Sequence, residues 1–323
     1  MPVTVGTFNL NNLFSRFNFQ AEIEELPAVE SGGLTITVSD GDSRARMFMG
    51  RLVKEKDPAD TAKIAERIRR IDIDVLAVQE VEHIDILKTF NRDNLGGLYP
   101  HVALIEGNDP RFIDVGVMSK LPIGPITSFQ TAVHPNEPGR RVFGRDLMRV
   151  EILADDGSKL FSLYNVHLKS HYVPFDQDQE EGARLANAKR QREAETVARL
   201  ISATERSDAA FVLCGDMNDP PDSEFLGPML TIDGRSMFNG LAGAEETRPA
   251  KPETAGQGPG PQSKVWTHRY NPPGPAFPEY ELYDQVWLSD RLSGRLEGAC
   301  IDRRTLHGGD GSDHDPAWVS LAL

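Results

Sequence analysis

The chain has 323 residues, of which 39% are hydrophobic and 26% are charged, and its formal net charge at pH 7 is −14. This length can bury a large core in either two domains or one large layered domain. The negative charge argues against broad electrostatic capture of nucleic acid, which depends on many Lys and Arg contacts to phosphates. It does not exclude a polyanionic substrate, because a bound metal would reverse the local sign where a phosphate must sit.

Two further classes of protein are disfavoured by what the sequence lacks. The two cysteines, Cys214 and Cys300, are too few for a disulfide framework. The N-terminus has neither the basic region nor the apolar core of a secretory signal, and no stretch approaches the roughly 20 apolar residues of a membrane span. We therefore expect a soluble protein without a membrane span, cytoplasmic if the sequence is full length. No obligate protein partner is evident.

In chain order, a strand at residues 3–9 is followed by a polar segment at 15–56, which we interpret as a loop insertion. A helix then begins at Asp57-Pro58, because Ile64, Ile68 and Ile71 recur at helical spacing and proline suits a first turn. Strand-like runs follow at residues 75–79, 102–106, 115–119, 147–153 and 160–167.

A longer helix is predicted at about 181–206, with Leu185, Val197, Leu200 and Ile201 as its apolar stripe. Further strands are predicted at 210–214, 285–288 and 317–323, and a Pro- and Gly-rich segment at 242–278 is interpreted as a second loop insertion. Because strands outnumber helices, the pattern favours packed sheets with helices outside.

Polar side chains repeatedly end the apolar runs. These are Asn9, Glu80, His167, Asp216 with Asn218, and Asp313 with His314 just before the last strand. One such residue carries little information, but several strand ends in one sheet would build a site at its rim.

Glu80 alone could simply cap the following helix. Within this set it is a candidate ligand for Mg²⁺, helped by Asn9 and Asp313, because Mg²⁺ prefers oxygen ligands and is usually held by one or two carboxylates. The sequence therefore predicts a magnesium site at Glu80.

Asp216 and Asn218 could equally form a turn held by side-chain to backbone hydrogen bonds. As functional groups, Asp216 would orient or deprotonate a water, and Asn218 would donate to a phosphate oxygen or hold Asp216. His314 lies in a segment that could be a simple turn, but Asp284 is a plausible acceptor that would orient its imidazole.

His167 could be a buried structural histidine or a donor to a phosphate oxygen or leaving group. Arg145 closes a charge run that is usually solvated, but its guanidinium could bind a second phosphate. The remaining histidines are interpreted as surface or local structure: His83, His101, His134, His171, His268 and His307.

Together these residues resemble the endonuclease/exonuclease/phosphatase superfamily, which includes pancreatic-type deoxyribonuclease, apurinic/apyrimidinic endonucleases, neutral sphingomyelinases and inositol polyphosphate 5-phosphatases. The match runs in family order through Asn9 and through residues 79–80, 115–120, 165–168, 215–218, 283–286 and 312–316. Each motif is weak alone, but the ordered set spans nearly the whole chain.

The resemblance implies a single domain over residues 1–323, folded as a four-layer α/β/β/α sandwich of two mostly antiparallel sheets with helices outside. It also implies Mg²⁺ or Mn²⁺ dependence and in-line attack of water on phosphorus. In that scheme Glu80 is the main metal ligand, with Asn9 and Asp313 nearby, while Asp284 orients His314.

Departures from family patterns narrow the expected substrate. His167 stands where abasic-site enzymes usually carry tyrosine, and Gln285-Val286 follow Asp284 where inositol phosphatases have a different pattern. We expect a phosphodiesterase or nuclease acting on a phosphodiester, with DNA and RNA as candidates. The alternatives are a phosphomonoesterase, a sphingomyelinase-like phospholipase C, or a non-catalytic binding scaffold.

Overall fold

A computed structural model describes residues 2–14, 56–174, 177–253, 260–271 and 277–323. Apart from Lys56, the predicted insertion at 15–56 lies outside these residues. Two large sheets dominate the described part of the chain.

The first sheet has seven strands in the order β14-β18-β19-β1-β2-β4-β3. Its strands are β1 (Val3–Leu13), β2 (Val75–Val81), β3 (His101–Leu104), β4 (Asp114–Ser119), β14 (Glu245–Glu246), β18 (Leu296–Ile301) and β19 (Ala317–Leu321). β1 runs parallel to β2 and antiparallel to β19, so the final strand lies in the middle of the sheet.

The second sheet has six strands in the order β13-β17-β10-β9-β8-β5. Its strands are β5 (Ile123–Ser128), β8 (Leu147–Leu153), β9 (Lys159–His167), β10 (Phe211–Asp216), β13 (Phe238–Asn239) and β17 (Asp284–Leu288). Three small hairpins complete the strands: β6 (Val133–His134) with β7 (Glu137–Arg141), β11 (Thr231–Ile232) with β12 (Arg235–Ser236), and β15 (His268–Tyr270) with β16 (Glu279–Glu281).

Three apolar clusters define four layers. The central cluster joins the facing sides of the sheets, with Val5 and Val75 of the first sheet against Leu163 and Val212 of the second. The outer face of the first sheet packs on α1 (Pro58–Ile71) and α2 (Ile84–Thr89), and that of the second on α3 (Gln179–Thr204). Covering both faces requires apolar residues at successive strand positions, which explains the continuous apolar runs. The predicted four-layer sandwich is confirmed.

α1 begins and ends as its sequence predicts. The Asp57 carboxylate accepts a hydrogen bond from the Ala59 N–H at 2.8 Å, and Pro58 occupies the first turn. Asp72 ends the helix in the left-handed region at φ 54°. The helix buries Ile64 and Ile68 against the first sheet.

The predicted apolar stripe of α3 is only partly correct. Val197 and Ile201 are buried against the second sheet, but Leu185 is 52% exposed. The buried face continues toward the N-terminus of the helix through Arg190 and Glu193, which are polar. Hydrophobic periodicity could not detect this part of the face, because it contacts loops at the sheet rim and not the apolar core.

The predicted strands all form, but two long strands and the structure of one insertion were missed. β5 and β18 are half-exposed edge or near-edge strands with weak apolar patterns. The segment at 242–278, interpreted as a loop, contributes β14 to the first sheet and β15 to a hairpin in its described part. None of the described helices has the length and apolar character needed to cross a membrane.

Candidate active site

Strand register brings three of the predicted residues together at one edge of the second sheet. In the parallel pair β9 and β10, His167 lies opposite Asp216. In the antiparallel pair β10 and β17, Asp216 lies opposite Asp284. Since paired residues in adjacent strands are about 5 Å apart, these three side chains start from neighbouring backbone positions.

Gly215 permits the close approach that places Asp216 in this row. Its φ is +139°, and a Cβ added there would lie 1.9 Å from the Val166 carbonyl oxygen. Only glycine fits such a backbone position without displacement of the neighbouring strand.

The Asp216 carboxylate is the centre of the site. Its Oδ1 accepts the Asn218 N–H at 2.9 Å, and its Oδ2 accepts Nδ2 of Asn9 at 2.9 Å. The Nε2 atoms of His167 and His314 lie 3.5 Å and 3.9 Å from the same Oδ2. Asn9, Asp216 and His167 are each at most 3% exposed. Residues far apart in sequence therefore converge on one carboxylate oxygen.

Hydrogen bonds fix both ends of the segment before β19. The Ser312 hydroxyl donates to the Asn9 carbonyl oxygen at 2.7 Å and accepts the His314 N–H at 3.1 Å. The Asp315 N–H donates to the Thr267 carbonyl oxygen at 2.8 Å. His314 Nδ1 contacts Asp284 Oδ2 at 2.6 Å, so the predicted orienting pair forms.

The first sheet contributes the carboxylates of the predicted metal site. The Asn12 N–H donates to Glu80 Oε2 at 3.0 Å, and Asn11 Nδ2 donates to Asp313 Oδ1 at 2.7 Å. Asn11, Asn12 and Glu80 all have positive φ, at 47°, 60° and 59°. Non-glycine residues rarely adopt this region, and such strain concentrates at functional sites.

A buried amide pair fixes the two sheets relative to each other below the site. Gln79 Nε2 donates to Asn165 Oδ1 at 2.8 Å, while Asn165 Nδ2 donates to the carbonyl oxygens of Val78 at 3.0 Å and Gly116 at 2.8 Å. Both side chains are fully buried. Because every polar atom of this bridge that is described has a partner, it sets the spacing between the strand ends that carry Glu80 and His167.

Charge interactions set the protonation of Asp216 and His314. Burial raises the pKa of Asp216, and the Asp284 carboxylate adds to this, while the His314 cation opposes it. Burial opposes protonation of His314, but the Asp284 and Asp216 carboxylates outweigh it and raise its pKa to about 10. His314 is therefore a cation at neutral pH, held beside a carboxylate that binds protons more readily than usual.

His167 has the opposite protonation. Burial, followed by the Arg145 charge, lowers its pKa well below the usual value, so the ring is neutral at pH 7. Its Nδ1 is buried without a hydrogen-bond partner among the described residues. Arg145 itself is 4% exposed, and its Nη1 donates to the Leu168 carbonyl oxygen at 3.3 Å. Its Nε lies 3.4 Å from Asp109 without the alignment of a hydrogen bond.

Three side chains that the sequence did not single out lie at this site. His268, interpreted from sequence as surface or local structure, has its ring centroid 4.8 Å from that of His314 and its Nε2 3.9 Å from Asp313 Oδ2. Lys56 donates to the Asn11 carbonyl oxygen at 2.6 Å. The Arg111 charge acts on both His167 and Lys169. None of the three follows an apolar run, so the strand-end signal could not find them.

The residues present fit a hard divalent cation. Glu80, Asp313 and the Asn9 amide supply oxygen donors. The negative charges of Asp60, Asp313 and Glu80 all act on the Lys56 ammonium, although burial outweighs them and lowers its pKa. His268, Asp313 and His314 also place three potential ligand atoms within 4.8 Å of one another. Imidazole ligands in that group would suit a softer ion than Mg²⁺.

The structure thus gathers the predicted residues at one rim: Asn9, Glu80, His167, Asp216, Asn218, Asp284, Asp313 and His314. Asn218 holds Asp216 through its N–H and donates its Nδ2 to the Leu168 carbonyl oxygen at 3.2 Å. Arg145 differs from the others because it lies beneath the site, and its contact with a phosphate stays a prediction.

Solved structures with the same fold include enzymes of several substrate classes. An AP endonuclease from Archaeoglobus fulgidus has 14% identity and a TM-score of 0.55 over 99% of this chain and 100% of its own. A mannosyl-6-phosphatase from Bacteroides thetaiotaomicron has 15% identity and a TM-score of 0.55 over the same shares. A humanized TDP2 of D. rerio has 11% identity and a TM-score of 0.56 over 100% of this chain and 99% of its own. At these identities the likeness shows the fold alone.

Among curated proteins, no sequence matches this chain. The sequence model of the endonuclease/exonuclease/phosphatase family matches residues 6–314, which contain every residue of the site. Members of that family are hydrolases of phosphoester bonds and are typically dependent on a divalent metal. The chain therefore belongs to the endonuclease/exonuclease/phosphatase family.

Proposed function

We propose that the protein is a divalent-metal-dependent phosphodiesterase that hydrolyses a phosphodiester by in-line attack of water. The observation that carries this proposal is the Asp216 carboxylate, which is fixed by Asn9 and Asn218 and flanked by two imidazoles of opposite protonation. A general base (Asp216), a neutral donor (His167) and a cationic donor (His314) therefore surround one position. Transfer of a phosphoryl group to water requires groups of these kinds.

In this proposal each residue of the chain has a distinct task. Asp216 orients the attacking water and takes its proton, and Asn9 and the Asn218 N–H hold the carboxylate in place. The neutral His167 donates to a phosphate oxygen. The cationic His314, oriented by Asp284, offsets the negative charge that develops on the phosphoryl oxygens.

Glu80, Asp313 and Asn9 would hold Mg²⁺ or Mn²⁺. When bound, the cation supplies positive charge that neutralises the phosphate and favours the ionised form of Asp216. The carboxylates of Glu80 and Asp313 are held by Asn12 and Asn11, so the donors are positioned before the ion arrives.

The experiment compares hydrolysis of a small aryl phosphodiester, plasmid DNA and sphingomyelin with Mg²⁺, Mn²⁺ or EDTA. We expect turnover of the diester and of DNA that EDTA abolishes. Replacing Asp216 by Ala should lower kcat by at least ~10²-fold, the usual size of an acid-base contribution, while the circular dichroism spectrum stays unchanged. Activity on sphingomyelin alone would contradict the nuclease preference.

Two alternatives predict different results when an aryl phosphomonoester is added to the same assay. A phosphomonoesterase is favoured if only aryl monoesters turn over, and the mannosyl-6-phosphatase among the solved structures keeps this class open. A non-catalytic scaffold becomes the better account if wild type and the Asp216→Ala variant share the same residual turnover with every metal.

A further inference from the structure

A cationic cleft lies beside the candidate site, between the β6–β7 hairpin and α3. The charged residues that line it are Glu137, Arg140, Arg141, Lys189 and Arg192. Four of these five side chains are cationic. In a chain with a formal net charge of −14, such a concentration of positive charge is local and specific.

The protein neutralises only part of this charge. Arg192 Nε lies 3.4 Å from Glu137, and Lys189 Nζ lies 3.9 Å from Glu193. Arg141 donates to Oδ1 of the neutral Asn108. Arg140 is exposed and makes no side-chain hydrogen bond or ion pair within the described part of the chain. The cleft therefore keeps positive charge that an anion could use.

A short chain segment connects the cleft to the rim that carries His167, because Arg141 and Val142 line the cleft and Arg145 contacts Leu168. Lys189 Nζ lies 3.2 Å from where a Cβ of Gly144 would be, and the next residue, Arg145, donates to the carbonyl oxygen of Leu168. The five residues from Arg141 to Arg145 span at most ~14 Å. Since each nucleotide of a strand advances about 3.4 Å along a duplex axis, this upper limit equals the rise of about four nucleotides.

An exposed aromatic ring belongs to the loop after β9, three residues beyond Lys169. Tyr172 is 62% exposed, and its carbonyl oxygen accepts a hydrogen bond from Lys169 Nζ at 3.1 Å. Tyr172 is also close enough to Arg111 for the two side chains to interact electrostatically. Cations interleaved with an exposed aromatic ring provide phosphate contacts and a surface for base stacking.

We propose that Arg140, Arg141, Lys189, Lys169 and Tyr172 form a basic strip that binds the backbone of a nucleic-acid strand whose reacting phosphate lies beside Asp216. This deepens the proposed phosphodiesterase function and rests on it. A nucleic acid fits better than an anionic membrane, because the cleft is concave and lined by cations, whereas membrane-binding faces combine basic residues with a broad apolar surface.

The test is fluorescence anisotropy with a labelled single-stranded DNA oligonucleotide in EDTA, so that binding is measured without turnover. The Arg140→Glu/Arg141→Glu variant reverses two charges of the basic strip. The matched control, Arg291→Glu/Arg295→Glu, makes the same charge change at α4 (Asp290–Ser293) and the residues after it, at the opposite end of β17 from Asp284.

We expect the strip variant to raise Kd at least ~10-fold and to reduce the slope of log K against log salt by about 1.4, which is the loss of two phosphate contacts on a single strand. The control should change Kd by less than ~2-fold, because unpaired surface charges far from a bound strand are screened. The Arg140 side chain has no partner among the described residues, so the single variant Arg140→Gln should leave the fold intact. We expect it to raise Kd several-fold, and it guards against misfolding of the double variant.

Three outcomes would contradict the basic strip. The wild type could fail to bind the oligonucleotide, or the strip and control variants could lose oligonucleotide affinity equally. The third is that the strip variant binds the oligonucleotide as the wild type does but loses binding to phosphatidylserine vesicles. The last outcome would assign the cleft to a membrane. Strip-dependent binding without hydrolysis of any diester would support the strip and contradict the proposed function. Hydrolysis of a small diester without oligonucleotide binding would support the proposed function and contradict the basic strip.

Discussion

At the scale of single residues, the contact between His314 and Asp284 favours a positive charge on the imidazole beside the Asp216 carboxylate. The 2.6 Å contact from Nδ1 leaves Nε2 directed toward Asp216, 3.9 Å away. Asp284 is fully buried, so its charge is poorly screened and acts strongly on the imidazole. Asp284 therefore orients the His314 ring and, of the neighbouring carboxylates, does most to raise its pKa.

Replacing Asp284 by Asn removes this charge while it keeps the shape of the side chain. We expect kcat for a small diester to fall by at least ~10²-fold, because the imidazole loses its orienting anion and its bias toward the charged form. Single-turnover kinetics measures the chemical step directly. The control is Asp290→Asn at an exposed acid, which should keep wild-type kcat, and an Asp284→Asn enzyme with wild-type kcat would contradict the role of the pair.

Replacing Glu80 by Gln tests the metal site separately. The variant keeps an oxygen donor and the contact to Asn12 but loses a negative charge. We expect weaker Mg²⁺ binding with little change in stability of the metal-free protein, since divalent affinity depends on ligand charge. Isothermal titration calorimetry measures the affinity, and an unchanged binding curve would exclude Glu80 as a ligand.

Asp114, the first residue of β4, predicts a pH-dependent stability of the fold. It is 2% exposed, and burial, together with the charges of Glu106, Asp109 and Asp146, raises its pKa to about 7. A raised acid pKa means that the folded state binds the proton more tightly than the unfolded chain. Its ionisation therefore costs stability progressively from about pH 4, near the unfolded pKa, up to about pH 7.

The Asp114→Asn variant removes this cost and retains an acceptor for the Gly107 N–H, which Asp114 Oδ1 accepts at 2.8 Å. We expect the variant to be more stable than wild type at pH 8 by on the order of 1 kcal/mol or more, and the difference to shrink toward pH 4. Urea unfolding at both pH values measures it. A constant difference across pH would contradict the assignment.

At the scale of secondary-structure elements, α3 organises the loops behind the site with its polar buried face. Arg190 is fully buried, its Nε donates to Asp219 Oδ2 at 3.0 Å, and its Nη1 donates to the Lys169 carbonyl oxygen at 2.7 Å. One guanidinium thus joins the loop after β9 to the loop after β10. The position of His167 relative to Asp216 depends on both loops.

Replacing Arg190 by Met preserves much of the packing volume and removes the charged fork. We expect destabilisation of about 3–5 kcal/mol, the usual cost of leaving one partner of a buried ion pair alone, and a loss of kcat as the two loops separate. The matched control is Arg184→Met in the same helix, where the side chain is 65% exposed and should contribute less than ~1 kcal/mol. Equal stability of the two variants would contradict the role of Arg190.

Part of the site could be predicted from sequence, because the end of a buried strand is marked locally by the change from apolar to polar residues. Apolar runs that end in polar residues identified Glu80, His167 and Asp216, and the sheets align those ends. His268 could not be found in this way, because it reaches the site through the β15–β16 hairpin within a Pro- and Gly-rich segment that has no hydrophobic period. Leu185 was misassigned since the first turns of α3 extend beyond the sheet.

At the scale of the whole molecule, a buried ion network joins segments from distant parts of the chain. Asp315 Oδ1 lies 3.0 Å from Arg67 Nη2 and 3.1 Å from Arg304 Nε, and its Oδ2 lies 3.3 Å from Arg303 Nη1. Arg67 also pairs with Asp302 at 3.0 Å. α1, the end of β18 and the segment that carries His314 are thereby held in one arrangement.

Replacing Asp315 by Ala leaves three guanidinium groups without their common anion. We expect a loss of about 3–5 kcal/mol in the free energy of unfolding, because uncompensated buried charge is costly. Urea denaturation monitored by tryptophan fluorescence measures it, since Trp266 packs against Arg303 at 4.0 Å. A change below ~1 kcal/mol would show that the arginines find other partners.

The order of strands in the first sheet also has a consequence for biosynthesis. Among the described strands β19 is translated after all the others, yet it lies between β18 and β1 inside that sheet, and the Ser312 hydroxyl donates a hydrogen bond to the Asn9 carbonyl oxygen across 303 positions of sequence. Contacts between residues that are so far apart in sequence form late and slowly during folding. A chain still attached to the ribosome at residue 300 would lack His314 and β19, so the candidate site is assembled only after this region has been translated.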